Sequence, residues 1–422
     1  MNILHTNVSV INKFLNDFKE HFSNKQFSVF QMFVYACLKD YKRLNLSSLV
    51  KQLPIDYQAL QYFFSDAKWD YHALNNKRIN TLKKQRTTGF TKNGVLAIDD
   101  TGSVKPYAKK TEGVAYQHCS VLKKEAYCNV AVASCFVKDS KHIPLSFKFY
   151  KPQDEFRLGK YDPEFRSKLD FARELLDEAI EQKIDFSYVV FDSWYSSAGF
   201  IEFIARKNRK FITEIKANRK ILFKHPVSRK AVWLQQDELV KLIQIYFRHK
   251  TRFAHYKDVS FPIYSFQTRL KNCSVPIKAF VVFNNFSEDD DKKIHILITN
   301  DLTLSYKKTV GVYMQRWGIE RTFQELKDTF YFDHYQVRHK EKIMRYWMLC
   351  PLVFSLIYWI KLNGCLTKVL NYSPSTFNDY KLALYKLIQF SSFAYLSKNT
   401  QESMTYFGDI KSQCFKDTCS CQ

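Results

Sequence analysis

Tyr313, Arg316, Glu320 and Lys327 stand at offsets 0, 3, 7 and 14 in one stretch of the chain. A helix through them, turning roughly 100° per residue, would gather one hydroxyl, two cations and one carboxylate within a sector of about 60°. Val312, Ile319, Phe323, Leu326 and Phe330 form an apolar stripe beside them. The helix must therefore pack on something, with the polar row along the edge of that contact. The ordinary use of such a row is ion pairing of Arg316 with Glu320 at i,i+4, worth a few tenths of a kcal/mol. A purely solvated face would spread its charges more widely.

Two more carboxylates follow short apolar runs. Val95 to Ile98 leads into Asp99, Asp100 and Thr101, and Ser187 to Phe191 leads into Asp192. Both runs read as buried strands, and strand ends are where a sheet presents ligands to a crevice. Alone, each Asp reads as a cap or turn residue. Joined with Glu320 they become an oxygen-only set of the kind that suits hard divalent cations.

The elements that must position them follow from periodicity. Strands are expected at 95–100, 127–137, 143–150, 187–191 and 211–215, and helices at 163–182 and 198–207. Three strands followed by helix-strand-helix-strand make an α/β pattern with a mixed sheet. Residues 217–304 interrupt it as a basic, then β-rich, insertion subdomain with an acidic loop at Glu288 to Asp291. One long helix is expected from about Ser305 to Phe330. Residues 1–88 read as a helical domain, with Asn45 and Asp56 as caps and Pro54 as a breaker. That domain fits DNA binding or a plain helical cap. The expected order is 1–88, core 89–216, insertion 217–304, core helix 305–335 and a helical region 336–422.

The chain has 422 residues, 46% of them apolar, with only 10 Gly and 10 Pro. That excludes a disordered, collagen-like or low-complexity protein. Residues 1–10 show no basic start followed by an apolar run, so no signal peptide is expected. Tyr346 to Ile360 is too short to span a bilayer comfortably and contains Pro351, so it reads as a buried helix. Cys37, Cys119, Cys128, Cys135, Cys273 and Cys350 read as small core residues. Cys414, Cys419 and Cys421 lack the paired spacing and nearby His of a zinc site. The expectation is a soluble, intracellular protein without a membrane partner.

The formal net charge is +24. Such an excess concerns partners, and a polyanion, most commonly nucleic acid, is the obvious one. Between Arg206 and Arg252 fourteen Lys/Arg face three Asp/Glu, which favours a surface that tracks phosphates. Lys105, Lys123, Lys124, Lys216, Arg219 and Lys220 follow core strands and are expected to face DNA, adding affinity rather than sequence readout. Trp194 and Trp317 adjoin the acidic residues and read as core. Trp233, in the basic segment, is the candidate to stack on a displaced base.

These motifs resemble the bacterial insertion-sequence transposases of the DDE type, in the group with a Tyr-x2-Arg-x3-Glu-x6-Lys signature. Tyr313, Arg316, Glu320 and Lys327 match that spacing without departure. Ala97 to Thr101 resembles the first motif and Val189 to Tyr195 the second. The resemblance runs from about residue 27 to about residue 360. The family's first Asp directly precedes Thr, which selects Asp100, with Asp99 as the alternative. The resemblance implies an RNase H-like core in which a β-rich insertion separates Asp192 from Glu320. It implies that Asp100, Asp192 and Glu320 are catalytic and bind two Mg2+ (or Mn2+) ions, about 4 Å apart in such sites. Tyr313, Arg316 and Lys327 would hold backbone phosphates. The implied activity is cleavage of transposon ends and joining of the 3'-OH ends to target DNA, in a cytoplasmic, nucleoid-associated protein acting as a homodimer on DNA. The same residues admit two other readings: an RNase H-like DNA endonuclease without strand transfer, and a non-catalytic DNA-binding descendant of a transposase.

Overall fold

The computed structural model describes residues 8–38, 46–50, 55–108, 110–283, 294–366 and 374–398. Asn45, Pro54, the Glu288 to Asp291 loop, Cys414, Cys419 and Cys421 lie outside them. Twelve strands run β1 (Val95–Val104), β2 (Ala115–Cys119), β3 (Lys124–Lys138), β4 (Lys141–Tyr150), β5 (Tyr188–Phe191), β6 (Lys210–Glu214), β7 (Ile221–Lys224), β8 (Ala231–Leu234), β9 (Arg252–Tyr256), β10 (Val259–Arg269), β11 (Pro276–Val282) and β12 (His295–Thr299) among the described residues. The α-helices are α1 (Ser9–Leu15), α2 (Asn24–Leu38), α3 (Leu46–Val50), α4 (Tyr57–Ser65), α5 (Tyr71–Lys83), α6 (Lys168–Glu181), α7 (Ala198–Arg206), α8 (Gln236–Tyr246), α9 (Tyr306–Met314), α10 (Trp317–Asp328), α11 (Lys340–Leu362) and α12 (Phe377–Lys398). Two compact units divide the chain: residues 89–325, and residues 1–88 with 326–422.

The unit of residues 89–325 is a mixed α/β structure. Its main sheet runs β2-β3-β1-β5-β6-β12-β11-β10-β9, with β4 also on β3. β1, β5 and β6 are parallel neighbours, and β1 pairs antiparallel with β3. Val95 to Ile98 are wholly buried, as expected of a strand covered on both faces. All five expected core strands are present. The β-rich stretch after β6 does not fold as a separate sheet, because β12 pairs antiparallel with β6 and carries β11, β10 and β9 with it. Among the described residues, only β7 and β8 form a small sheet of their own.

Helix starts follow local chemistry. α6 begins at Lys168 rather than at 163, because Ser167 and Asp170 form a reciprocal capping box that satisfies the first backbone donors. The single helix expected from 305 to 330 is broken at Gln315 and Arg316 into α9 and α10. Through the break the amides of Gln315, Arg316, Gly318 and Ile319 each bond the carbonyl three residues earlier, the tighter winding of a 3₁₀ turn. α10 then lies hard against β3. A Cβ on Gly318 would sit 2.4 Å from Val137 Cγ1. Thr322 Oγ1 lies 3.2 Å from Cys135 Sγ and 3.0 Å from His142 Nδ1.

The second unit is helical. Asp56 caps α4 by accepting from the Ala59 amide. α11 is long and apolar enough to cross a membrane by length and composition, and its apolar window is completely buried, as the reading of Tyr346 to Ile360 expected. Its Arg345 donates to the carbonyls of Ser65 at 3.1 Å and Ala67 at 2.9 Å, closing the exposed end of α4. Cys37 and Cys350 are buried here; Cys119, Cys128, Cys135 and Cys273 are buried in the other unit.

Candidate active site

The parallel register of β1 and β5 ends at Ile98 opposite Phe191. The next residue on each strand is therefore an Asp, Asp99 beside Asp192. Side chains alternate along a strand, so Asp99 and Asp100 face opposite sides of the sheet. Val95, Ala97 and Asp99 share the face on which α10 packs, since Val95 pairs with Val137. Asp100 and Gly102 share the other face. There Cys119 lies so close that a Cβ on Gly102 would be 2.6 Å from its Sγ.

The two faces supply different partners. On the α10 side, Arg316 Nη1 is 3.5 Å from Asp99 Oδ2 and 2.7 Å from Glu320 Oε1. The guanidinium thus ties the half-buried Asp99 to a Glu320 side chain that is 51% exposed. Arg316 is itself nearly buried, and its Nε has no hydrogen-bond partner among the described residues. Tyr313, on α9, is buried beneath it, 5.9 Å from guanidinium carbon to ring centroid, with its hydroxyl 3.5 Å from Glu214 Oε2. On the other side, Asp100 accepts from Lys168 Nζ and from Tyr195 Oη, each at 2.9 Å. Lys168 lies over the rings of Tyr150 and Trp194 at 5.3 and 5.4 Å. Asp192 accepts from the Trp194 amide at 2.7 Å.

The electrostatics are those of crowded carboxylates around one cation. Burial pushes Asp99 well above the usual carboxylate range, against the pull of Arg316, and the charges of Asp192 and Asp100 push it further. Burial also raises Asp192; Arg316 lowers it and Asp100 raises it. Burial holds the phenols of Tyr195 and Tyr313 protonated. Burial works against the charge of Arg316, but Tyr313 and then Glu320, Asp99 and Asp192 raise it above its ordinary value, so it stays charged.

Asp99, Asp100, Asp192, Tyr313, Arg316 and Glu320 therefore form one connected neighbourhood. Among the described residues, however, no three His, Cys, Asp or Glu side chains stand close enough together to hold a metal ion as they are. Glu320 faces Arg316, and Asp100 faces Lys168. Lys327 lies on the last turn of α10, beyond the end of this unit. Lys123 and Lys124 are exposed at the β2–β3 hairpin, and Lys105 continues β1 next to it. Lys216 and Lys220 are exposed after β6, and Arg219 is partly buried between them. Trp233 is on β8, partly exposed. Trp194 is a correction: read as core, it is 46% exposed beside Asp192. The turn at Asp192 leaves its ring over Lys168 instead of in the sheet. Trp317 is partly buried.

Lys168 and Tyr195 are site residues that the motifs did not single out. The signal for Lys168 was the Ser167–Asp170 capping box, which places it on the first turn of α6. For Tyr195 it was proximity to Asp192.

Family models match over this same region. A DDE superfamily endonuclease model matches residues 17–235, and a transposase DDE domain model matches residues 161–356. The chain belongs to the DDE superfamily of endonucleases. The transposase DDE domain match spans a little under half of the chain. Among curated proteins no relative matches. Among solved structures, the piggyBac transposase synaptic complex with hairpin DNA aligns over 94% of this chain and 79% of that one, at 10% identity and a TM-score of 0.45. The Drosophila P element transposase strand transfer complex aligns over 91% and 86%, at 12% identity and a TM-score of 0.22. At such scores neither adds to the family assignment.

Proposed function

We propose that this protein is a transposase that cuts the ends of a DNA element and joins the freed 3'-OH ends to target DNA, using Asp100, Asp192 and Glu320 as its catalytic carboxylates. The observation that carries the reading is the juxtaposition of Asp99 and Asp100, where β1 runs past the end of β5, with Asp192 just after β5, Asp99 being linked through Arg316 to Glu320. The donors suit a hard divalent cation by type, since all three are carboxylates. Two Mg2+ ions are proposed, with Mn2+ as a substitute, held by Asp100, Asp192 and Glu320. When bound, such ions lower the pKa of an attacking water or 3'-hydroxyl and neutralise charge on the leaving oxygen.

The chain's own residues set the rest. Arg316 already spans a carboxylate on each side and keeps an unmatched buried Nε. Its planar fork can exchange one of those partners for a backbone phosphate. Tyr313, buried and protonated, fixes the plane of that guanidinium. Lys327 adds a point charge further along α10. Lys168 holds Asp100 until substrate and cations compete for it. The attack is in line and needs no covalent enzyme intermediate, so no Ser or Tyr nucleophile is assigned.

The proposed fold of this centre is RNase H-like, with β4-β3-β1-β5-β6 as its five-stranded core. DNA is the proposed partner, its phosphates met by the +24 excess. A homodimer on paired ends and action in the cytoplasm are proposed with it. The test is Mg2+-dependent nicking and joining of the DNA that flanks the gene. Asp192→Ala and Glu320→Ala should lose both reactions. A Glu320→Ala protein that nicks at full rate removes the site assignment. Cleavage without any joined product favours the endonuclease reading.

A further inference from the structure

The β2–β3 hairpin carries a surface that the catalytic reading does not use. Tyr116 on β2 pairs directly with Tyr127 on β3, so their side chains share a face. Their rings are 5.4 Å apart and tilted by 59°. Lys105 extends the row, its amide donating to the Tyr127 carbonyl at 2.8 Å. Tyr116 is 62% exposed, Tyr127 53%, and Tyr107, two residues beyond Lys105, 93%. Tyr116 and Tyr127, exposed to this degree side by side, form a patch that ordinary folding does not require.

The opposite face of the hairpin is core. Cys119, Cys128 and Val130 are buried together, with Cys119 against Gly102. The tip is anchored at the catalytic strand, where Ser120 Oγ donates to the Asp100 carbonyl at 3.3 Å. The hairpin is thus a fixed arm rooted at Asp100, apolar within and aromatic without.

The charge says what the arm meets. From Lys105 to Tyr127 the chain has five Lys and two Glu. Lys123 and Lys124 are exposed at the tip. On the tyrosine face itself Glu125 is the one carboxylate of the two strands, and it pairs with His118. Aromatic faces beside cations suit a nucleic-acid strand whose bases are unstacked, because a paired base keeps its π-face covered by its neighbours.

We propose that Tyr116 and Tyr127 are a stacking platform for unpaired bases of the DNA next to the cleavage site, its phosphates held by Lys105, Lys123 and Lys124. This rests on the reading of Asp100 as part of a DNA-cleaving centre.

The experiment uses the full chain in chelator, so that no cleavage occurs. The probes are a short forked duplex with 2-aminopurine in its unpaired arm and the same duplex with blunt ends. The parent should bind the fork more tightly and quench the 2-aminopurine. Tyr116→Ala/Tyr127→Ala should lower fork affinity about tenfold or more, abolish the quench and leave blunt-duplex affinity unchanged. Tyr116→Phe/Tyr127→Phe should keep both, since stacking needs the ring and not the hydroxyl. Unchanged quench and affinity in the Ala variant overturn the platform while leaving the catalytic reading intact. Equal loss in the Phe and Ala variants also overturns it. A parent that binds neither DNA overturns both readings. Exposed tyrosines contribute little to the core, and an unchanged thermal transition verifies that each variant is folded.

Discussion

Arg316 joins Asp99 to Glu320, two carboxylates 221 positions apart in the chain, while Asp100 turns to Lys168 and Tyr195 on the opposite face of β1. Adjacent acids in one motif therefore have separate environments. Asp99 sits under the helix that carries Glu320. Asp100 sits under the first turn of α6 and the β2–β3 arm.

That separation distinguishes the two. The motif, with Asp100 directly before Thr101, selects Asp100 as the proposed ligand, whereas the face shared with Glu320 belongs to Asp99, proposed as a positioning residue acting through Arg316. Asp100→Asn should reduce Mg2+-dependent nicking at least about a thousandfold, the scale of losing a group that acts only in the reacting complex. Asp99→Asn keeps the acceptor for the Asp100 amide (2.8 Å) and loses only the charge toward Arg316. It should slow nicking about tenfold with DNA affinity unchanged. Rates measured on both variants decide the matter: if Asp99→Asn is dead and Asp100→Asn active, the roles are reversed.

Arg316 neutralises the crowded carboxylates and is proposed to hand a donor to phosphate. Arg316→Lys keeps the charge but cannot bridge Asp99 and Glu320 with one planar group. It should retain DNA binding yet lose about a hundredfold in nicking. Arg316→Ala should lose at least as much and lower the salt dependence of DNA binding by about one counterion. Titration of affinity against salt for the two variants separates a phosphate contact from a purely internal ion pair, which would leave the slope unchanged in both.

The parts of the site that were legible in the sequence share a physical reason. Apolar runs leading into Asp gave β1 and β5 because a strand covered on both faces must be apolar; β5 stops there, while β1 passes its neighbour and continues to Val104 on β3. The signature spacing placed Arg316 and Glu320 one turn apart, where they do meet. The rest depended on tertiary contacts without a local pattern. The break at Gln315–Arg316 comes from α10 closing on β3, and no helix-breaking residue precedes it. Continuation of the sheet from β6 to β12 skips 80 residues of chain, which composition alone read as an insertion. The opposite facing of Asp99 and Asp100 was available from strand alternation, but only the packing of Gly318 on Val137 shows which face α10 covers.

Metal-free carboxylate crowding should cost stability. Burial and the neighbouring Asp100 hold the Asp192 proton more tightly in the fold than in the unfolded chain. A raised folded pKa means that stability is fully present below the unfolded value and is lost as pH rises through the folded one. At neutral pH in chelator, Asp192→Asn should therefore melt about 2–4 °C above the parent. Asn still accepts from the Trp194 amide, so the turn is kept. The difference should shrink as pH falls towards the ordinary aspartate range. A neutral-pH melting point at or below that of the parent would count against crowding as the cause.

Gly318 sets how closely α10 approaches β3, and hence where Glu320 stands. A methyl group there would meet Val137 Cγ1 at 2.4 Å and Cγ2 at 2.6 Å. Contacts that short cannot be absorbed without moving the helix or the strand. Gly318→Ala should cost about 1–3 kcal/mol through overpacking, despite the better helix propensity of Ala. Because Glu320 is two residues further along the same helix, nicking should fall with stability. Val137→Ala removes both offending methyl groups and leaves only the 3.0 Å approach of its own Cβ to be absorbed by a small shift. The double variant should recover most of the melting temperature and the nicking rate together, whereas Val137→Ala alone should only destabilise. Recovery of stability without activity would mean that the helix position set by Gly318 does not govern Glu320.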